Sequence, residues 1–84
     1  MGTKPIRTPT EVFGLVLREL RLEKGLTQEQ LALDADTERS HISALERGEK
    51  GPSLGTILKL GKALRIRSGE LVSLVEEKLD KKSR

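Results

Sequence analysis

The sequence has no cysteine, tryptophan or tyrosine, and its one aromatic side chain is Phe13. Without cysteine there is no disulfide framework and no thiolate zinc site. Without aromatic platforms the chain has nothing on which to stack unpaired bases, which argues against RNA-recognition sheets and single-strand grooves. Long apolar runs are also missing. No stretch of about 18 apolar residues is present to span a membrane, and no charged-then-apolar leader precedes a small-residue cleavage site, so a cytoplasmic location with no membrane partner is expected. With a single histidine, His41, a metal site would have to be assembled from carboxylates, and no metal or cofactor is expected. The nearest approach to a phosphate loop, GTILKLGKA from Gly55 to Ala63, has five residues between its glycines and ends in alanine where serine or threonine is required. No enzyme activity is expected, and no internal repeat is visible.

What the chain does have is charge and helical periodicity. Its 84 residues fit one small domain, and sixteen basic against thirteen acidic residues leave a net +3, too slight to identify a partner. Residues 1–9 hold two prolines, Lys4 and Arg7 and little that is apolar, so they read as a flexible basic arm. A helix follows: Thr10 is placed as its N-cap, Phe13, Val16, Leu17 and Leu20 form its apolar stripe, and Gly25 ends it after Lys24.

Two short helices lie within residues 27–48, TQEQLALDADTERSHISALERG. Leu31 and Ala35 share a face of the first, Ile42 and Leu45 a face of the second. Only Asp36 and Thr37 separate them, so the pair must cross steeply, with the small Ala32 at the crossing. Thr27 with Gln30 spells a capping box for the first helix, and Thr37 is placed to cap the second.

Past the loop Glu49-Lys50-Gly51-Pro52, Ser53 caps a fourth helix with Leu54, Ile57, Leu58 and Leu64 at core spacing; Gly61 within it is expected to admit another helix at close range. A fifth helix, about residues 68–79, carries Leu71, Val72, Leu74, Val75 and Leu79. That surface is wider than one small core needs, and a second copy of the chain is its natural cover. The domain is thus expected over residues 10–79, with a charged tail at 80–84.

These words, in this order, resemble the helix-turn-helix of the Cro and phage-repressor (XRE-like) family of DNA-binding regulators. The resemblance covers roughly residues 13–71, from RELRLEKGLTQEQLA before the turn to ISALERGEKGPSLGTILKLGKAL after it. It implies an all-α, compact, five-helix lambda-repressor-like domain with the helix-turn-helix at helices 2 and 3, about residues 27–47. It also implies a homodimeric, sequence-specific transcriptional regulator, a repressor or controller protein, on a pseudo-palindromic double-stranded DNA operator. The competing implication is a protein-interaction module, such as the antitoxin of a toxin–antitoxin pair, whose partner is a toxin or another regulator.

Such a motif lays its second helix in the major groove. With Ile42 and Leu45 inward, helical geometry turns Arg39, Ser40, Ser43, Ala44 and Arg47 to solvent. Arg39 can offer a two-pronged donor to guanine, Ser40 a hydrogen bond to a base edge, Ala44 a contact to a thymine methyl, and Glu38 an acceptor for cytosine. With Ser43 these are the candidate base readers, although Ala44 is nearly as well explained as a helix former and Glu38 equally well as a dipole stabiliser. The candidate DNA-backbone contacts are Thr27, Gln28, His41, Arg47 and Lys50. Gln28 matches the family's phosphate-clamping glutamine, and His41 stands where relatives frequently carry an aromatic residue. Arg21 and Glu46 match positions that pair as a buried structural ion pair. Two residues depart from the pattern: Asp36 at a turn position where glycine is common, and Arg65 where a left-handed glycine usually ends a helix. Glu29, Asp34, Asp36 and Glu38 also bring negative charge close to the presumed DNA face.

Overall fold

A computed structural model describes residues 7–82 and folds them into five helices, with no strand among the described residues: α1 (Pro9–Glu23), α2 (Gln28–Asp34), α3 (Arg39–Glu46), α4 (Leu54–Leu64) and α5 (Ser68–Lys82). The helix starts follow local chemistry. Thr27 Oγ1 accepts the Gln30 N–H at 3.0 Å while Gln30 Oε1 accepts the Thr27 N–H at 2.8 Å, and Ser53 Oγ accepts the Thr56 N–H at 3.1 Å.

Two starts differ from the expectation. The N-cap of α1 is Thr8, not Thr10: Thr8 Oγ1 accepts the Glu11 N–H at 3.1 Å, Glu11 Oε1 accepts the Thr8 N–H at 2.9 Å, and Pro9 enters the first turn where its missing N–H costs nothing. Thr10 has Phe13 three residues on, and a phenyl ring cannot close a capping box; Thr8 has Glu11. The arm expected at 1–9 therefore gives up Thr8 and Pro9 to the helix, and its residues 1–6 lie outside the described residues. Thr37 does not cap α3. Glu38 takes the N-cap position without a side-chain cap bond, and Thr37 Oγ1 instead pairs with His41 Nδ1 at 2.9 Å.

The first four helices all end alike. A residue in the left-handed region follows each, namely Gly25, Asp36, Gly48 and Arg65. The N–H of the next residue then reaches back five positions: Leu26 to Arg21 O, Thr37 to Ala32 O, Glu49 to Ala44 O and Ile66 to Gly61 O, at 2.8–3.0 Å. Two of these positions are glycine, for which the conformation carries no Cβ clash; Asp36 (φ 55°) and Arg65 (φ 61°) accept some strain, aspartate less than arginine. Helix α4 therefore stops as sharply as if Arg65 were glycine.

Helix α1 packs against α3 and α5, α2 against α3 and α4, and α4 against α5. Val12, Leu17, Leu31, Ile42, Leu45, Leu60 and Leu71 are fully buried between them. The α1–α3 crossing depends on Gly14: a Cβ there would lie 2.8 Å from Glu46 O and closer still to Leu45 O. Gly61 likewise admits the start of α5, where an added Cβ would meet Ser68 Cα at 3.1 Å.

The apolar residues of α4 and α5 are distributed differently from expectation. Ile57, Leu60, Gly61 and Leu64 set the inward face of α4 at helical spacing, whereas Leu58, about 100° round from Ile57, is 55% exposed and Leu54, in the first turn, 73% exposed. In α5, Leu71 and Val75 belong to this chain's own core, and Leu74 and Leu79 pack partly against it. Leu71 and Val75 are closed over by this chain's other helices, as so small a domain requires, whereas Leu74 and Leu79 keep part of their surface open to the partner expected there. Val72, at 41% exposure, is the one of the five that faces out. Helix α5 also continues through residues 80–82 of the expected tail, and residues 83–84 lie outside the described residues.

Candidate nucleic-acid interface

Helix α3 is held from three sides, and this leaves one polar face outward. Ile42 and Leu45 anchor it in the core. Glu46, one residue on, is also buried and meets Arg21 of α1: Arg21 Nε donates to Glu46 Oε2 at 2.7 Å and Arg21 Nη2 to Glu46 Oε1 at 3.1 Å, while Arg21 Nη1 donates to Leu26 O at 2.9 Å. The two-pronged geometry satisfies a carboxylate that could not otherwise be buried cheaply. Hydrogen bonding to Glu46, opposed by desolvation, raises the Arg21 pKa above its ordinary value, so this guanidinium stays charged.

Glu46 also reaches the motif's first helix. Gln28 Nε2 donates to Glu46 Oε1 at 3.0 Å, so one carboxylate fastens α1, α2 and α3. Gln28 is half-buried and oriented by this bond; its amide keeps a second N–H and a carbonyl oxygen for other partners. Thr27, beside it, is exposed; its hydroxyl oxygen accepts the Gln30 N–H and its O–H remains a donor.

The outward face of α3 begins with Glu38, Arg39 and Ser40, all exposed. Arg39 lines the same hollow as Thr27, Gln28 and Glu29, at the junction of α1's end and α2's start. The structure thus brings Arg39 and Gln28, predicted from different helices, onto one concave edge. Ser43 and Ala44 are half-exposed further along the face, and His41 is half-buried and tied to Thr37 at the edge. That bond ties the imidazole through Nδ1 to the start of its own helix.

At the far end, Arg47 and Lys50 are exposed. Arg47 is engaged rather than free. Its Nε donates to Glu49 Oε2 at 2.7 Å and its Nη2 to Glu49 Oε1 at 3.1 Å, while its Nη1 meets Ser43 Oγ. The hydrogen bonds and, secondarily, the charge of Arg47 hold the Glu49 carboxyl below the usual carboxylate range, so it is ionised at neutral pH. Glu49 was not among the residues singled out from sequence; a basic residue two positions from an acidic one across a glycine was the available signal.

Away from this face, Leu54 and Leu58 are four residues apart on one side of α4, and Val72 sits on the rim of an apolar groove with Phe13, Pro52, Ile57 and Val75. Among the described residues there is no cluster of histidine, aspartate and glutamate able to hold a metal ion, and no helix long and apolar enough to cross a membrane.

Comparison with known proteins gives a consistent set of likenesses. The helix-turn-helix family model matches residues 17–71. The control protein C.BamHI of Bacillus amyloliquefaciens is 40% identical over 62 residues, 73% of this chain and 76% of that protein. The crystal structure of the restriction-modification controller protein C.AhdI from Aeromonas hydrophila superposes with a TM-score of 0.72 at 48% identity, covering 74% of this chain and 94% of that one. The clp gene regulator ClgR from Corynebacterium glutamicum superposes with a TM-score of 0.86 at 25% identity, covering 94% and 84%.

Proposed function

Because this chain belongs to the helix-turn-helix family of DNA-binding transcription regulators, we propose that it reads a pseudo-palindromic operator as a homodimer, with the outward face of α3 in the major groove. One observation carries this reading. Ile42, Leu45 and Glu46 are all committed inward, so Glu38, Arg39, Ser40, Ser43 and Ala44 are presented on a helix that has little freedom to rotate. Arg39 is the principal base reader, its guanidinium matching guanine O6 and N7; Ser40, Ser43, Ala44 and Glu38 supply the remaining base-edge contacts. Thr27, Gln28, His41, Arg47 and Lys50 contact the phosphodiester backbone, which fixes register and supplies the salt-dependent share of affinity. The domain works by binding in the cytoplasm, with no cofactor and no catalytic step.

Dimerisation uses the exposed apolar residues of α4 and α5: Leu54 and Leu58 join Val72, the outward member of the fifth-helix set read from sequence. A second copy covering them sets two α3 helices about one DNA turn apart, roughly 34 Å, which is what a pseudo-palindrome requires. The role is that of a repressor or a controller protein; C.BamHI is a control protein and C.AhdI a restriction-modification controller protein.

Selection of bound sequences from a random duplex pool, followed by titration of the winner, tests this directly. Arg39→Ala is expected to weaken the selected site by about 10- to 100-fold, the loss of one good two-pronged base contact, while nonspecific duplex loses no more than one charge's worth. Selection that returns no common sequence, or an Arg39→Ala variant indistinguishable from the parent, refutes the reading.

A further inference from the structure

Glu49 lies outside every role given so far, yet it makes a two-pronged contact to Arg47, one of the residues assigned to the DNA backbone. Its position is set by the backbone. Gly48 (φ 73°) reverses the chain at the end of α3, and the Glu49 N–H is bonded to Ala44 O at 3.0 Å, which brings the carboxylate alongside Arg47. The pair does little for the fold: both side chains are more than half exposed, at 56% and 57%, and such pairs contribute at most about 1 kcal/mol.

What the pair does do is occupy a fork. A carboxylate on Nε and Nη2 has the same geometry as a phosphate bound two-pronged by arginine. With Nη1 on Ser43, every nitrogen of the Arg47 guanidinium has a partner within the free protein. We propose that Glu49 is an internal stand-in for a DNA phosphate, which a duplex must displace before Arg47 can contact the backbone, so that Glu49 sets the affinity of the regulator for DNA. Ionisation of Glu49 at neutral pH, favoured by Arg47, keeps the competitor in place. The inference rests on the DNA-binding reading above and adds to it a residue that opposes binding. Its action is on backbone affinity, so it shifts specific and nonspecific duplex alike and leaves the choice of sequence to the start of α3.

The test is a double-mutant cycle on duplex DNA, using the full chain with Glu49→Gln, Arg47→Ala and both together. Glu49→Gln keeps the size of the side chain and removes its charge, and both positions are exposed enough for each variant to fold. Glu49→Gln is expected to bind a nonspecific duplex about two- to five-fold more tightly at low salt, the range an exposed ion pair carries, with the advantage shrinking as salt screens the pair. In the Arg47→Ala background the same change is expected to do nothing. An equal gain in that background would mean that Glu49 acts only as one more negative charge near DNA, and would overturn the proposal. Weaker binding by Glu49→Gln would also overturn it, since Glu49 would then be a support for Arg47. A parent protein that binds no duplex at all refutes the DNA-binding reading itself, an outcome distinct from either.

Discussion

The Arg21–Glu46 pair offers the most decisive test of how the helices are held together. Arg21→Met keeps the aliphatic bulk of the side chain and removes the guanidinium, which strands the Glu46 carboxylate in the interior with Gln28 as its remaining partner among the described residues and leaves Leu26 O without its 2.9 Å donor. Removing one member of a buried pair typically costs about 3–5 kcal/mol. A chain of 84 residues has about 4–13 kcal/mol in total, at 0.05–0.15 per residue, so the variant approaches the limit of folding. At about 4–8 °C per kcal/mol for a domain of this size, its Tm should drop by at least about 12 °C.

Urea unfolding followed by circular dichroism is the suitable assay, since the chain has no tryptophan or tyrosine to report by fluorescence. The double variant Arg21→Met/Glu46→Met has no charge left to strand and should recover to within about 1–2 kcal/mol of the parent, because well-packed apolar residues replace buried ion pairs at little cost. It should nonetheless bind DNA less tightly, having lost the carboxylate that orients Gln28. A single variant that loses less than about 1 kcal/mol, or a double variant as unstable as the single, would show that side-chain packing and not the stranded charge governs this site.

Three further outcomes are expected. Gly14→Ala sets a Cβ against the Leu45 and Glu46 carbonyls, backbone atoms that cannot swing aside, so about 1–3 kcal/mol of overpacking should outweigh the ~1 kcal/mol gained in helix propensity; Gly55→Ala, where the nearest atom is Ser53 Oγ at 3.8 Å, should keep that gain, and equal urea midpoints for the two would refute the close-approach argument. Arg65→Gly should stabilise by about 0.5–1 kcal/mol, the left-handed strain relieved less the added freedom of the unfolded chain, and Asp36→Gly by less; a loss of stability at Arg65 would mean that its side chain contributes more than its exposure suggests. Leu58→Glu should leave the monomer folded but lower the sedimentation mass to that of one chain and weaken operator binding by about 10- to 100-fold; a dimer that survives Leu54→Glu, Leu58→Glu and Val72→Glu alike places the partner elsewhere.

Several local signals were legible in the sequence because their chemistry was itself local. The Thr27–Gln30 box, the Ser53 cap and the left-handed turn at Asp36 need only residues within a few positions of each other, and each has the geometry its spacing implies. Thr8 was obscured by Thr10, a second threonine nearer the apolar stripe but without an acidic capping partner three residues on. Longer-range features were less accessible. Leu54 and Leu58 fit a helical apolar pattern as well as Leu60 does, and nothing in the pattern says which of two adjacent stripes faces the core; that is decided by where α2 and α5 arrive. The same limit applies to Leu71 and Val75, whose apolar character reads identically whether a second chain or their own domain covers them. Gly14 carried no sign of its role, since the Leu45 and Glu46 carbonyls that crowd it lie some thirty residues away.

The candidate site shows why charge count was a poor guide to it. A net +3 gives little attraction for a polyanion, Glu29 and Glu49 stand beside the residues assigned to contact DNA, and Glu38 is one of them. In such a surface the nonspecific, counterion-driven part of binding is held down. The affinity for a true operator must then come from contacts that only the correct base sequence completes, which demands that α3 hold its side chains in place before DNA arrives. The buried Ile42, Leu45 and Glu46, the His41–Thr37 bond at one end and the backbone reversal at Gly48 at the other meet that demand. A stiff reading helix and a restrained charge are two sides of one solution: the less the backbone term supplies, the more the ordering of Arg39 and Ser40 must be settled within the fold.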